Sequence, residues 1–152
     1  VIANLQINAY FLKDFQVKVS QDFTVGEFAC RKTSTMVLLA PTLITLLQQL
    51  RTRLNKPVHI TSGYRTPEYN AKIKGAAESR HMLGLAADLE VPKGTTNWEL
   101  AGLAYVVGFR RIGVAHGFIH VDIAPGEAYW CYSDELKTGL ESKIRDAAGH
   151  WA

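Results

Sequence analysis

At 152 residues the chain has the length of one domain, enough to bury a core without disulfide or metal staples. Hydrophobic residues make up 47% and charged residues 20%, an ordinary globular balance that argues against a disordered chain. The net charge is only +3 with no basic stripe, which argues against nucleic-acid binding, and no apolar run reaches membrane-spanning length.

The mild basicity suits an anionic polymer as partner. Arg110-Arg111 and Arg51-Thr52-Arg53 read as solvated faces. Val1 opens the chain with neither a starting methionine nor a signal-peptide pattern, the start expected of a trimmed form, so export is not legible there. Cys30 and Cys131 make no metal-ligand pair with each other or with a nearby histidine. A disulfide between them would close a loop of about 100 residues, worth up to roughly 4–5 kcal/mol; two separate thiols are the expected state.

Residues 1–35 are mixed, with a short alternation from Phe15 to Val19, and predict irregular structure and short strands. Val25-Gly26-Glu27-Phe28 reads as a turn. The clearest helix runs from Pro41 to Asn55. Leu43, Leu46, Leu47, Leu50 and Leu54 share one face, Pro41 suits the first helical position, and Lys56-Pro57 ends the run. Val58 to Thr61 predicts a strand. Thr66 caps a helix to about Lys74 that stops at Gly75. Leu85 to Val91 predicts a strand with Leu85, Ala87, Leu89 and Val91 on one face and Ala86, Asp88 and Glu90 on the other. Thr96 and Glu99 form a capping box for a helix to Val107, ended by Gly108. Ile112 to Ala115 and Phe118 to Ala124 predict a hairpin around His116-Gly117. Ser133 is placed to cap a last helix carrying Leu136, Leu140 and Ile144, a tail that either packs on the domain or lies at its edge. There is no internal repeat and no low-complexity linker. The mixture predicts an α+β fold: a small antiparallel sheet with helices packed on it. It also predicts one domain over 1–152, with its core at about 20–132 and a helical tail at 133–152.

Three segments carry chemistry. In Phe118 to Ile123, alternation sends Ile119, Val121 and Ile123 to a core and leaves His120 and Asp122 together on the other face, as on a cleft floor. Asp88 lies on the polar face of its strand, and His81 precedes it in a loop that Gly84 allows to turn. Arg65, after Ser62-Gly63-Tyr64, is suited to a carboxylate or a tetrahedral oxyanion. Each taken alone is more often a surface or structural residue. Together, two imidazoles and a carboxylate can close three corners of a zinc tetrahedron and leave the fourth for water.

In combination these blocks resemble a known family. Ser62-Gly63-Tyr64-Arg65, the Ser-x-His-x-x-Gly-x-Ala-x-Asp run from Ser79 to Asp88, and Phe118-Ile119-His120-Val121-Asp122 are similar to the M15 zinc peptidases. These are D-Ala-D-Ala carboxypeptidases and peptidoglycan endopeptidases, related by fold to lysostaphin-type peptidases and the hedgehog signalling domain. The resemblance spans roughly residues 20 to 130 and takes in Glu27-Phe28-Ala29-Cys30, the leucine-rich helix and Lys56-Pro57-Val58. It implies His81, Asp88 and His120 as zinc ligands and Arg65 as the group that holds the peptide carbonyl or terminal carboxylate. Peptidoglycan peptides are the implied substrates of a monomer working outside the cytoplasmic membrane or encoded by a phage as a lysin.

The general base departs from the family pattern. Many members carry an acid three residues before the last zinc histidine, where this chain has Gly117; others carry a histidine two before it, where this chain has Phe118. Asp122 is the favoured base, with a role behind His120 as its alternative. His116 at the hairpin tip is a second candidate and Glu90 a weaker third. A zinc-containing binding module without catalysis is the alternative reading of the whole chain. Tyr129-Trp130 reads as core, or as an aromatic wall of the cleft.

Overall fold

The computed structural model describes residues 5–30 and 35–152. Two sheets and four helices build an α+β fold. A two-stranded antiparallel ribbon joins β1 (Asn8–Phe11) to β2 (Met36–Leu39). The main sheet has the order β3-β4-β6-β5-β7, with β3 at Ile60–Ser62, β4 at Ala86–Glu90, β5 at Arg111–Val114, β6 at Phe118–Asp122 and β7 at Ala128–Cys131. Four of these strands are antiparallel as expected. The fifth, β7, runs parallel to β5 at the sheet edge and was not anticipated. No helix among the described residues is long and apolar enough to cross a membrane.

The first long helix, α1 (Pro41–Leu54), starts on its proline and ends at Asn55, whose backbone is left-handed at φ 55°. It buries Leu43, Ile44, Leu47, Leu50 and Leu54. Ile44 thus replaces the expected Leu46, which is only partly buried. The short α2 (Pro67–Lys72) is capped by Thr66, whose hydroxyl accepts from the Tyr69 amide at 3.1 Å. It stops sooner than predicted, before Lys74 adopts φ 57°. In α3 (Asn97–Val107) the capping box forms as read. Glu99 accepts from the Thr96 amide and Thr96 from the Glu99 amide, both at 3.0 Å.

The final helix, α4 (Leu140–Gly149), begins well after Ser133, which caps nothing and precedes only a short 3-10 turn. It is docked on the fold: Ile144 is buried, and beyond it Trp151 Nε1 donates to the Glu99 carbonyl of α3 at 2.8 Å. Phe15 to Val19 is no strand. The segment turns back on itself, with the Val17 amide bonded to Asp14 and the Val25 amide to Val17. Val25–Phe28 is a 3-10 helix that buries Val25 and Phe28. Cys30 and Cys131 are not bridged to each other.

One face of the main sheet makes the core. Ala87, Leu89, Ile112, Val114, Ile119 and Val121 are buried there with Leu100 and Leu103 of α3 and the leucines of α1. The alternation of β4 and β6 sends Asp88, His120 and Asp122 to the other face.

Candidate active site

Strand register assembles the site. Asp88 of β4 pairs across with His120 of β6, His120 with Gly113 of β5, and Gly113 with Trp130 of β7. In the adjacent row Asp122 pairs with Ala86 on one side and Arg111 on the other. His81 arrives from outside the sheet on a 3-10 helix, Arg80–Leu83. That helix ends at Gly84, where φ is 73° and a Cβ would lie 2.4 Å from the Leu38 carbonyl oxygen, so only glycine fits the turn against β2.

The imidazole tautomers are fixed by acceptor-only partners. His81 Nδ1 donates to the Gly63 carbonyl at 2.7 Å, and His120 Nε2 donates to Asp122 Oδ2 at 2.8 Å. A neutral ring therefore turns a lone pair inward in each case, on His81 Nε2 and His120 Nδ1. These two atoms lie 3.2 Å apart, with Asp88 Oδ1 at 3.3 Å from the first and 3.1 Å from the second. Three acceptors facing one another at these distances require a positive charge between them. A tetrahedral ion with bonds of about 2.0–2.1 Å has ligand-to-ligand edges of about 3.3 Å. His81, Asp88 and His120 are all buried and form a group able to hold a metal ion.

The electrostatics agree. Burial opposes ionisation of Asp88, but hydrogen bonds and charge from His120 and His81 outweigh it and hold the carboxyl well below its usual range. Burial likewise opposes charging of His120, yet Asp122 and Asp88 raise its pKa above the ordinary value.

Around this centre sits a set of holding groups. Asp122 uses both oxygens: Oδ2 on His120, and Oδ1 on Arg111 Nε at 2.7 Å and the Ala124 amide at 3.1 Å. Burial pushes its pKa up, but His120, Arg111 and the Ala124 amide prevail and hold it low. Arg111 is therefore an ion-paired member of the site and no solvated-face residue. Arg65 is fixed from three sides: Nε donates to Ser62 Oγ at 3.1 Å, Nη1 to Asn70 Oδ1 at 3.3 Å, and Nη2 to Asp88 Oδ2 at 3.4 Å. Asn70 is itself buried and anchored to the Ala76 carbonyl at 2.9 Å. Trp130 packs on His120 with ring centroids 5.1 Å apart and lines the cleft as an aromatic wall, whereas Tyr129 packs against the core.

The group opens into a cleft of about 550 Å³, lined also by Arg65, Glu78, Arg80, Phe118 and Tyr132. Two residues read as base candidates do not join it. His116 is 63% exposed and bonded to Glu135 at 3.0 Å, and Glu90 is exposed and bonded to His59 at 3.2 Å. Conversely, Asn70, Arg111 and Glu78 carried no motif in the sequence. Only the register pairing Arg111 with Asp122, or the chain reversal after α2, brings them in. A larger hollow of about 790 Å³ between β1 and α1 carries no carboxylate, imidazole or thiol in its lining.

Residues 21–122, about two thirds of the chain, match the model of a protein family described as Peptidase M15. The chain belongs to the M15 peptidase family. The matched span contains all three members of the buried His81, Asp88 and His120 group, so a peptidase with a metal-capable centre is what fold and family together give. No curated protein sequence matches the chain.

Proposed function

We propose that this M15 peptidase is a zinc enzyme that hydrolyses amide bonds in bacterial peptidoglycan peptides. The observation that carries the metal assignment is the convergence of His81 Nε2, His120 Nδ1 and Asp88 Oδ1 at 3.1–3.3 Å with both tautomers fixed from behind. Two nitrogens and one oxygen suit zinc with an open position. Bound zinc would supply a Lewis acid for the scissile carbonyl and a water that ionises near neutral pH.

The chain's own groups do the rest. Gly63 and Asp122 hold the two imidazoles in the ligating orientation, and Arg111 anchors the other oxygen of Asp122. Arg65 commits three of its five N–H donors to Ser62, Asn70 and Asp88, and the other two remain for the developing oxyanion or a substrate carboxylate. Asp122, with both oxygens engaged, is assigned here to orienting His120 and not to proton transfer. Glu78 lines the cleft, is exposed, and has no hydrogen-bond partner for its carboxylate among the described residues; it is the proposed proton acceptor. Trp130 and Phe118 provide an apolar wall beside the site. Hydrolysis of cell-wall peptides places the work outside the cytoplasmic membrane, or in a phage lysin.

A second reading, a zinc-containing module that binds cell wall or a protein partner without cutting it, is favoured by one observation. Gly117 stands where many relatives carry an acid, and no atom outside its chain neighbours lies within 4 Å of where its Cβ would be. The test is mass spectrometry of defined peptidoglycan peptides incubated with zinc-loaded protein, beside a chelated control. A chelator-sensitive product supports the peptidase, and its mass names the bond. Stoichiometric zinc with no product from any peptide supports the binding module.

A further inference from the structure

A separate hollow of about 320 Å³ lies against β3, the edge strand beside β4, and shares Arg65 and Ile73 with the metal cleft. Ser62 lines it and pairs across with Asp88. Neighbouring strands lie about 4.8 Å apart and an extended chain advances about 3.3 Å per residue. A peptide reacting at the metal group therefore reaches this hollow with its next residue or two. Hydroxyls that the fold does not use face into it. Tyr64 lines the hollow, is only 5% exposed, and has no hydrogen-bond partner for its O–H among the described residues. A tyrosine buried this far ordinarily has one. Its amide is fixed on the Phe28 carbonyl at 2.9 Å. Burial, with Cys30 and Glu68 nearby, raises its pKa, so the O–H stays protonated and can donate. Tyr69 lines the same hollow, and its hydroxyl also lacks a partner among the described residues. Ser62 Oγ accepts from Arg65 Nε at 3.1 Å, which leaves its own proton for another acceptor.

We infer that this hollow is a subsite for an uncharged carboxamide side chain of the peptide substrate, recognised by the Tyr64 hydroxyl. Hydroxyl protons match a carbonyl oxygen, and hydroxyl oxygens can take the N–H groups beside it. Charged side chains fit less well. An ammonium group meets no carboxylate among the described lining residues, and a carboxylate meets only the Arg65 guanidinium, already paired with Asp88. Burying either charge costs more than burying an amide that finds its hydrogen bonds. The inference rests on the peptidase reading and adds the class of side chain selected next to the scissile bond.

The probes are peptides of the form N-acetyl-X-D-alanyl-D-alanine, with glutamine, glutamate, lysine or leucine at X. Binding is measured by calorimetry in chelator and initial rates with zinc, for wild type and Tyr64→Phe, beside thermal melts of both proteins without peptide. The wild type is expected to bind the glutamine peptide about three- to tenfold more tightly than the other three. Tyr64→Phe removes one oxygen and no packing carbon. It should bring the glutamine peptide down to the level of the leucine peptide, in affinity and in KM. It should also keep or raise the melting temperature, because the hydroxyl it removes has no partner in the free protein. Equal binding of all four peptides, a preference for any X but glutamine, or no binding of any overturns the subsite. So does a glutamine preference that survives Tyr64→Phe, or a lowered melting temperature in that variant, which would show the hydroxyl holding the fold. Hydrolysis without a preference at X overturns the subsite and leaves the peptidase reading standing. A Tyr64-dependent glutamine preference without hydrolysis sustains the subsite and overturns the peptidase reading.

Discussion

Asp122 shows what a residue type and its position can tell. Alternation along β6 placed it on the face of His120, and it is there. Its role depends on partners that alternation does not reveal: the Arg111 guanidinium across the β5–β6 pair and the Ala124 amide two residues on. With those bonds made, Asp122→Asn should weaken zinc binding about 10- to 100-fold, the usual effect of losing a group that orients a ligating histidine. Glu78→Gln should leave zinc binding intact and lower kcat by about two to four orders of magnitude, the range of a lost general base. Equilibrium dialysis against zinc, paired with turnover of the same samples, separates the two. Full zinc with no turnover in Asp122→Asn would return the base to Asp122. The convergence of His81, Asp88 and His120 was readable because Asp88 and His120 sit on cleanly alternating strands and His81 in the short motif before β4; His81 itself, read as loop, lies on a 3-10 helix. His116 misled because a hairpin tip gives no sign of where its side chain goes, and here Glu135 takes it.

At the scale of elements, one row across four strands organises the centre: Asp88, His120, Gly113, Trp130. The middle of that row was legible, since β4 and β6 alternate cleanly between core and site. Its end was not. Ala128–Cys131 is half-buried throughout, shows no alternation, and pairs in parallel through a crossover, so periodicity gave no strand there. Gly113 links the two parts. A Cβ on it would sit 2.5 Å from Trp130 Nε1, so the indole lies over the strand and against His120 only because this residue has no side chain. Gly113→Ala should displace Trp130, cost about 1–3 kcal/mol as an overpacked site does, and change the near-ultraviolet circular dichroism of the tryptophans. An unaltered spectrum and unaltered stability would show that the indole does not need that space.

At the scale of the molecule, the sheet separates two tasks. One face buries the leucines of α1 and α3, and the other holds charged groups that the rigid face keeps in register. The general α+β architecture followed from the order of periodic segments. The docking of α4 did not, because helical spacing shows an apolar stripe without naming the surface it meets; here that surface is α3. The family match ends at Asp122, yet Trp130 and Tyr132 beyond it complete the cleft wall. Because His81, Asp88 and His120 come from a 3-10 helix and two strands, an ion bound among them would tie these elements together. Zinc at 100 times its Kd should stabilise the fold by about 2.7 kcal/mol, or about 5–10 °C in Tm for a chain of this size. The gain should shrink as pH falls through the histidine range. Protons compete for the lone pair on His120, whose pKa Asp122 and Asp88 raise above the ordinary value, and metal binding must release them. Calorimetric scans with and without zinc across that range check the sign. A zinc shift that grows toward acid pH would place the ion elsewhere.

The central claim is that His81, Asp88 and His120 hold one zinc ion. It is tested most directly by zinc titration of metal-stripped protein beside the folded His120→Ala variant, with stoichiometry read by calorimetry. One zinc per chain in the wild type and none of comparable affinity in the variant is the expected result. A wild type that takes up no zinc, or a variant that binds it as tightly, would contradict the assignment.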